Sequence, residues 1–223
     1  EHMKKPAGIT ATIFLCFLVS FGQEDFPSGQ IARRVTCLND TAQHYAVFVP
    51  RAYTDTLSWP VIFFFEPAAR ALLPLERYAT LADRFGYFMC CSYNSRNGPN
   101  EPIFEAANAM YADAFNRFSL DKEQVCLAGF SGGARISCLI ANSSTDIPSV
   151  IGCGAGFPFS KMPEQATAFD YCGIIGKQDM NFQELLLLDS TLDQYNRNHI
   201  LLTFPDGHRW PDSSTFRSAF FWL

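Results

Sequence analysis

Residues 125–137, VCLAGFSGGARIS, carry a serine among glycines where an apolar run gives way to a helical pattern. The spacing predicts a strand that ends at this serine and a helix that begins directly after Gly133. A sharp strand-to-helix turn holds a serine in a strained backbone conformation and needs small neighbours, here Gly129 and Gly133. The free N–H groups of the helix N-terminus would face negative charge that develops beside Ser131. We expect Ser131 to be a nucleophile; the alternative is a glycine-rich turn needed only for packing.

A serine hydroxyl is a weak nucleophile, so this chemistry requires a general base. Of the four histidines, His2 belongs to a cloning remnant, and His44 and His199 each open a predicted strand. His208, in PDGHRWP, follows the last predicted strand and stands at its carboxyl end. We predict that His208 is the base, while a solvated loop residue is the simpler alternative.

The base in turn needs an acid that orients it, placed after another strand between the serine and the histidine. Asp179, in GKQDMNF, follows a strand and precedes a helix. Asp170 precedes its strand, and Asp206 is too close to His208 in sequence for favourable geometry. We predict Asp179 as the acid; its alternative role is that of a helix N-cap.

Apolar and amphipathic runs alternate along the chain and predict the elements that position these residues. Strands are predicted at 31–37, 44–50, 61–67, 86–94, 125–130, 150–157, 171–176 and 200–205. The first two alternate apolar and polar residues as half-exposed edge strands do, and the others are apolar, as in parallel strands covered on both faces. Helical spacing is found at 75–86, 104–120, 134–144, 184–197 and 214–223.

This order predicts an α/β fold: one twisted, mostly parallel eight-stranded sheet with helices on both faces and no large cap domain. Functional residues in such sheets lie at the carboxyl ends of the strands. The 223 residues, 48% of them hydrophobic, suit a single domain with a substantial core. The net charge of −5 without any basic block disfavours a nucleic-acid partner, because phosphate neutralisation needs clustered Lys and Arg.

The first 22 residues resemble a tag remnant followed by a signal peptide. Lys4 and Lys5 precede the uncharged run 6–22, which is shorter than the ~20 apolar residues that span a bilayer. We expect cleavage between Gly22 and Gln23, a secreted or periplasmic protein without stable membrane association, and a single domain at 23–223. The alternative is an uncleaved membrane anchor.

The cysteines and histidines do not predict a disulfide framework or a metal site. Cys16 lies in the expected signal peptide, which leaves seven, an odd number, in a chain large enough to fold without disulfides. Most of them fall in apolar runs, where cysteine acts as a small hydrophobe. No CxxC pair or Cys/His ligand spacing occurs in the sequence, so we expect neither a metal nor a cofactor.

Five segments resemble, in order and spacing, those of an α/β-hydrolase of the polyhydroxybutyrate-depolymerase and feruloyl-esterase type. These segments are HYAVFVP, PVIFFFEP, SLDKEQVCLAGFSGGARIS, GKQD and DGHRWP. The resemblance covers essentially everything after the signal peptide. It implies the α/β-hydrolase fold, a serine esterase activity, and the roles of nucleophile, acid and base for Ser131, Asp179 and His208.

One departure from the family pattern affects the oxyanion hole. These esterases usually have His-Gly after the third strand, and this chain has Glu66-Pro67. Proline has no N–H to donate. A carboxylate beside a developing oxyanion would oppose it unless the carboxylate is turned away or protonated. The N–H of Gly132 should still serve, and we expect Ala68 to supply the second donor. Losing one donor typically lowers the rate by about 10²–10³-fold.

Two segments could line the substrate pocket. Residues 92–102 follow the fourth strand and offer Asn94, Arg96 and Asn97 to a sugar or carboxylate, although an ordinary polar turn explains them equally well. Trp210 could stack on a ring of the substrate or pack in the core. Glu66, at the end of the third predicted strand, is a further candidate contact to the substrate.

The expected function is that of an exported serine esterase that acts on carbohydrate- or hydroxyacid-linked esters through an acyl-enzyme. A serine peptidase on the same fold is the second hypothesis. The third is a catalytically impaired binding protein, motivated by Glu66-Pro67. The oligomeric state is not predicted.

Overall fold

The computed structural model describes residues 26–158, 161–164 and 166–223, and its centre is one eight-stranded sheet. The predicted signal peptide lies outside the described residues. The strands are β1 (Gln30–Thr36), β2 (His44–Val49), β3 (Trp59–Phe65), β4 (Phe88–Ser92), β5 (Leu120–Phe130), β6 (Ser149–Cys153), β7 (Asp170–Gly176) and β8 (His199–Phe204).

The sheet order is β1-β2-β4-β3-β5-β6-β7-β8. β1 pairs antiparallel with β2 and β2 antiparallel with β4, and every later pairing is parallel. All eight predicted strands are present. Two differ in burial from the expectation: β2 lies inside the sheet and is almost fully buried, and β8 forms an edge and is only partly covered.

Five helices cover the sheet, as the apolar spacing predicts: α1 (Leu72–Phe85), α2 (Asn100–Arg117), α3 (Gly132–Asn142), α4 (Phe182–Gln194) and α5 (Ser213–Trp222). Buried residues of α2, α3 and α4 share one apolar cluster, and those of α1 and α5 share another. In β3, Phe63 and Phe65 belong to the first cluster and Ile62 and Phe64 to the second, because successive side chains of a strand point to opposite faces. The helices therefore lie on both faces of the sheet.

The seven cysteines from Cys37 to Cys172 are buried and free. Burial raises the pKa of the Cys126 thiol to about 12 and, with a smaller contribution from Asp113, that of Cys37 to about 11. Thiols in such surroundings stay protonated and behave as small apolar groups. No helix in the described part of the chain is both long and apolar enough to cross a membrane.

The parallel register brings the carboxyl ends of the central strands to one edge of the sheet. Phe65 pairs with Gly129, Phe130 with Cys153, and Gly176 with Phe204. The segments that follow β3, β5, β7 and β8 therefore start side by side, and these segments contain the residues that the sequence singles out.

The crossing of α3 over β5 and β3 depends on glycine. A Cβ on Gly129 would lie 2.2 Å from the carbonyl carbon and oxygen of Gly133. A Cβ on Gly133 would lie 1.9 Å from the carbonyl oxygen of Phe65. Both contacts are to backbone atoms, which cannot move aside as a flexible side chain would, so these positions admit no larger residue.

We expect Gly133→Ala to lower the free energy of unfolding by at least about 3 kcal/mol, because the new methyl group overlaps the backbone of β3. Urea denaturation followed by circular dichroism measures the change. Gly98→Ala is the matched control, since its Cβ would lie 3.9 Å from the nearest heavy atom, the Arg96 carbonyl oxygen. The control should change the unfolding free energy by less than about 1 kcal/mol. Equal stability of the two variants would contradict the close crossing.

Candidate active site

Ser131 occupies the turn between β5 and α3 with φ 54° and ψ −117°, a left-handed conformation that non-glycine residues rarely adopt. Its N–H donates to the Cys153 carbonyl oxygen at 2.8 Å, and its carbonyl oxygen accepts the N–H of Ala134 at 3.0 Å and of Arg135 at 3.3 Å. These hydrogen bonds hold the strained residue from both sides. The turn has the form expected of a nucleophile elbow.

His208 follows β8, and its Nε2 lies 2.9 Å from the Ser131 Oγ. The imidazole is partly exposed, and the ring of Phe130 packs against it with 4.7 Å between centroids. A Cβ on Gly154 would approach the His208 Cε1 to 3.3 Å, so Gly154 leaves room for the ring. The structure therefore places His208 where it can accept the serine proton.

Asp179 follows β7, and its Oδ2 lies 2.8 Å from the His208 Nδ1. Its Oδ1 accepts the N–H of Asn181 at 2.8 Å, and its side chain is almost completely buried. α4 begins only at Phe182, with Asn181 as its N-cap, so the alternative role of Asp179 as the N-cap is not seen.

The loops after β7 and β8 are held against each other, which brings the acid to the base. The N–H of Gln178 donates to the Asp206 carbonyl oxygen at 2.9 Å, and that of Lys177 to the Phe204 carbonyl oxygen at 2.9 Å. A Cβ on Gly176 would lie 2.2 Å from the Asp206 carbonyl oxygen. This close passage requires glycine at the end of β7.

The contacts of His208 suit the imidazole tautomer in which Nδ1 carries the hydrogen. An ionised carboxylate only accepts, so the Nδ1 of His208 carries the hydrogen that faces Asp179. Nε2 then presents its lone pair to the Ser131 hydroxyl, which donates to it. In this tautomer His208 can take the serine proton, and Asp179 can stabilise the resulting imidazolium.

Glu66 is fully buried and does not contact the cleft, which corrects the expectation that it binds substrate. Its Oε2 accepts the N–H groups of Ala68 at 2.8 Å and Arg70 at 3.0 Å, and its Oε1 accepts from the Arg70 guanidinium. Burial by itself raises the pKa of Glu66, but the hydrogen bonds from Arg70 and Ala68 outweigh it, so the pKa is lowered. Glu66 is therefore the ionised centre of its own loop.

The Ala68 N–H is donated to Glu66 and is not directed at Ser131, which corrects its expected role as the second oxyanion donor. Gly132 is the first residue of α3, so its N–H has no acceptor within the helix. The N–H of Gly132 is thus available beside the nucleophile.

Of the other pocket residues predicted from the sequence, Asn97 lines the cleft beside Gly132, and Asn94, Arg96 and Trp210 do not. Trp210 is buried against Phe64, Tyr78 and Phe130, so it packs in the core and cannot stack on a substrate ring. Asn94 is exposed, and its amide accepts the His44 N–H and donates to the Ala42 carbonyl oxygen, which ties its loop to the start of β2.

Arg96 and Asn97 are exposed and lie beside the loop after β3. The backbone of Arg96 forms a bridge with Ala68, and the Asn97 N–H donates to the Pro67 carbonyl oxygen at 2.8 Å. The side-chain amide of Asn97 lies against Gly132: a Cβ there would be 2.1 Å from Oδ1 and 2.7 Å from Nδ2.

A cleft of about 250 Å³ adjoins the nucleophile turn. It is lined by Asn97, Gly98, Asn100, Ile103, Gly132, Arg135, Ile136, Leu139 and Pro158. The guanidinium of Arg135 is paired with Glu184 at 2.7 and 2.8 Å and also donates to the Phe157 carbonyl oxygen. Sequence reasoning missed Arg135, although it follows Ser131 by four residues at the start of the predicted helix.

One group of potential metal ligands lies among the described residues, formed by Asp189, Asp193 and His199. The His199 Nε2 lies 3.3 Å from Asp189 and 3.8 Å from Asp193, and both carboxylates are solvent-accessible. His199 opens β8, so the group lies at the amino end of the strand, away from Ser131. These contacts form an ion pair when the imidazole is protonated.

We expect Glu66→Gln to lower the free energy of unfolding by about 1–3 kcal/mol near pH 7, because the amide leaves donors of Ala68 or Arg70 without an acceptor. The lowered pKa means that the ionised Glu66 contributes stability above its ordinary value of 4.5. This contribution is lost as the pH falls through the folded-state pKa. The difference between wild type and variant should therefore shrink in acid, as urea denaturation across pH would measure.

Glu76→Gln is the matched control, because Glu76 forms an exposed ion pair with Arg33. Its effect should stay below about 1 kcal/mol. A Glu66→Gln effect as small as that of the control, at every pH, would contradict the role of Glu66 in its loop.

No protein-family model matches the sequence, and no curated protein matches it. Several solved structures are similar to this chain in fold. An S-formylglutathione hydrolase from Staphylococcus aureus is 15% identical, with a TM-score of 0.66 over 89% of this chain and 98% of the other.

Two further structures are similar in the same way. A ferulic acid esterase is 14% identical, with a TM-score of 0.67 over 88% of this chain and 96% of the other. A feruloyl esterase module from Clostridium thermocellum, complexed with sinapinate, is 11% identical, with a TM-score of 0.65 over 86% and 85%. Similarity at this level of identity establishes the fold and confirms that part of the sequence prediction: the chain has the α/β-hydrolase fold.

Proposed function

We propose that this chain is a serine hydrolase that cleaves carboxylic esters through an acyl-enzyme. The observation that carries the proposal is the hydrogen-bonded line from the Ser131 Oγ through His208 to Asp179, with distances of 2.9 and 2.8 Å. In this arrangement Ser131 attacks the ester carbonyl, His208 takes and returns the proton, and Asp179 holds the imidazole and stabilises its cation.

The substrate class proposed is an ester that joins an acid to a carbohydrate or a hydroxyacid. In support, two similar solved structures are described as feruloyl or ferulic acid esterases and one as an S-formylglutathione hydrolase. The cleft beside Ser131 combines the apolar side chains of Ile103, Ile136 and Leu139 with polar groups. This mixture suits a compact acyl group attached to a polar alcohol.

Export is part of the proposal and depends on the sequence of residues 1–22, which have the basic start and short apolar run of a signal peptide. Cleavage between Gly22 and Gln23 would release residues 23–223 to the periplasm or the medium. N-terminal sequencing of the protein expressed with its natural leader would test this. An intact leader on membrane-bound protein would favour the anchor instead.

We expect a fluorophosphonate probe to label Ser131, because the hydroxyl activated by His208 attacks phosphorus as it attacks a carbonyl. Ser131→Ala should take no label and should lower kcat on p-nitrophenyl acetate by at least about 10³-fold. Ser143→Ala is the control, since that hydroxyl caps the end of α3 through the Leu139 carbonyl oxygen. Folded wild-type protein without an adduct would contradict the hydrolase and support the non-catalytic binding protein.

A panel of acetyl, butyryl and feruloyl esters beside aminoacyl amides then separates the esterase from the peptidase. The expected order is rapid cleavage of at least one ester and slow cleavage of every amide. Preferential turnover of the amides would support the peptidase.

Asp179→Asn should lower kcat by about 10⁴-fold, because the amide favours the wrong imidazole tautomer of His208. Asp206→Asn is the matched comparison, since Asp206 is the neighbouring carboxylate and pairs with Arg209. Its kcat should fall by less than about tenfold. A larger loss in Asp206→Asn than in Asp179→Asn would reverse the assignment of the acid.

A further inference from the structure

An oxyanion next to Ser131 needs a second donor besides Gly132, and the backbone after β3 does not offer one. Pro67 has no N–H. The N–H of Ala68 donates to the Glu66 carboxylate, that of Ala69 to the Glu66 carbonyl oxygen at 2.9 Å, and that of Arg70 again to the carboxylate. Every N–H from 67 to 70 is thus absent or already bound to Glu66.

The group that lies beside Gly132 instead is the side-chain amide of Asn97. A Cβ placed on Gly132 would be 2.1 Å from the Asn97 Oδ1, 2.6 Å from its Cγ and 2.7 Å from its Nδ2. Because Oδ1 and Nδ2 both approach the same point, the NH₂ group lies next to Gly132 whichever way the amide is turned. The contact also explains the glycine that directly follows the nucleophile.

The position of Asn97 is set by its backbone, which leaves its side chain free. Its N–H donates to the Pro67 carbonyl oxygen at 2.8 Å, and the preceding residue, Arg96, bridges to Ala68. Within the described residues, no hydrogen bond is made by the Asn97 amide. Asn97 is exposed and lines the cleft beside Gly132.

We propose that the Asn97 Nδ2 is the second donor of the oxyanion hole, in place of a backbone N–H of the loop after β3. This inference rests on the proposed function. The loop with Glu66-Pro67, which departs from the family pattern, then does not donate to the oxyanion itself but positions the residue that does. Its inward-facing carboxylate shapes the loop, and the Pro67 carbonyl oxygen of the loop holds Asn97 over Gly132.

In the reaction, the Ser131 Oγ forms a bond to the ester carbon as its proton passes to the His208 Nε2, and the carbonyl π pair moves to oxygen. The Gly132 N–H and the Asn97 Nδ2–H donate to that oxyanion. Its collapse expels the alcohol oxygen, which takes the proton from His208 and leaves the acyl-enzyme. Water repeats the sequence: it attacks the acyl carbon, gives its proton to His208, and releases the acid as Ser131 regains the proton.

Asn97→Ala and Asn97→Asp test this assignment, with Asn116→Ala, an exposed asparagine of α2, as the matched control. The backbone N–H that binds Pro67 remains in each variant, so the loop is preserved. On p-nitrophenyl acetate, kcat of Asn97→Ala should fall by about 10²–10³-fold with KM changed by less than about threefold. Asn97→Asp should be at least as slow, because a carboxylate cannot donate and repels the oxyanion.

A trifluoromethyl ketone forms a tetrahedral oxyanion adduct with Ser131, so its inhibition constant provides a second measurement. A purely structural role of Asn97 would leave this constant unchanged. The inhibition constant should rise in Asn97→Ala by a factor similar to the fall in kcat. The control should keep the wild-type values of kcat, KM and inhibition constant.

An active wild type whose Asn97→Ala variant keeps its kcat, or changes KM alone, would overturn the role of Asn97 and leave the proposed function standing. A wild type that takes no fluorophosphonate and cleaves no ester would overturn both. The two failures are therefore distinguishable.

Discussion

The first turn of α3 passes so close to β5 and β3 that no side chain fits between them, and the geometry of the site follows from this contact. Gly129 and Gly133 allow the approach. The chain must then reverse direction within one residue, and Ser131 takes up the left-handed conformation that this requires. The tight core packing that forces the strain thus also exposes the hydroxyl and points the N-terminus of α3 toward it.

The parallel sheet supplies the other partners of Ser131 by bringing strand ends together. β6 anchors the Ser131 N–H through Cys153, and the loops after β7 and β8 carry Asp179 and His208. Each loop is short and is bonded to its neighbour, so small displacements are resisted. His208 therefore lies within hydrogen-bond distance of Ser131, 77 positions away in sequence, and of Asp179, 29 positions away.

In the loop after β3, the buried charge of Glu66 determines which backbone groups are available to a ligand. Placed there, a carboxylate needs several donors, and Glu66 obtains them from Arg70 and from the loop's own backbone. Those N–H groups are consequently lost to any ligand. The Pro67 carbonyl oxygen accepts the Asn97 N–H, and this hydrogen bond holds Asn97 against Gly132.

The periodicity of apolar residues was sufficient to predict all eight strands, the five helices and the fold, because burial on one face or two imposes its spacing on the chain. The predicted topology also limits the candidates for base and acid to residues at the carboxyl ends of strands. His208 and Asp179 meet this condition, and the structure places them in line with Ser131. The inward turn of Glu66, the choice between core and pocket for Trp210, and the contact of the Asn97 amide with Gly132 could not be predicted in the same way. Each depends on contacts between loops distant in sequence, and local patterns carry no record of which donors or apolar surfaces those loops will meet.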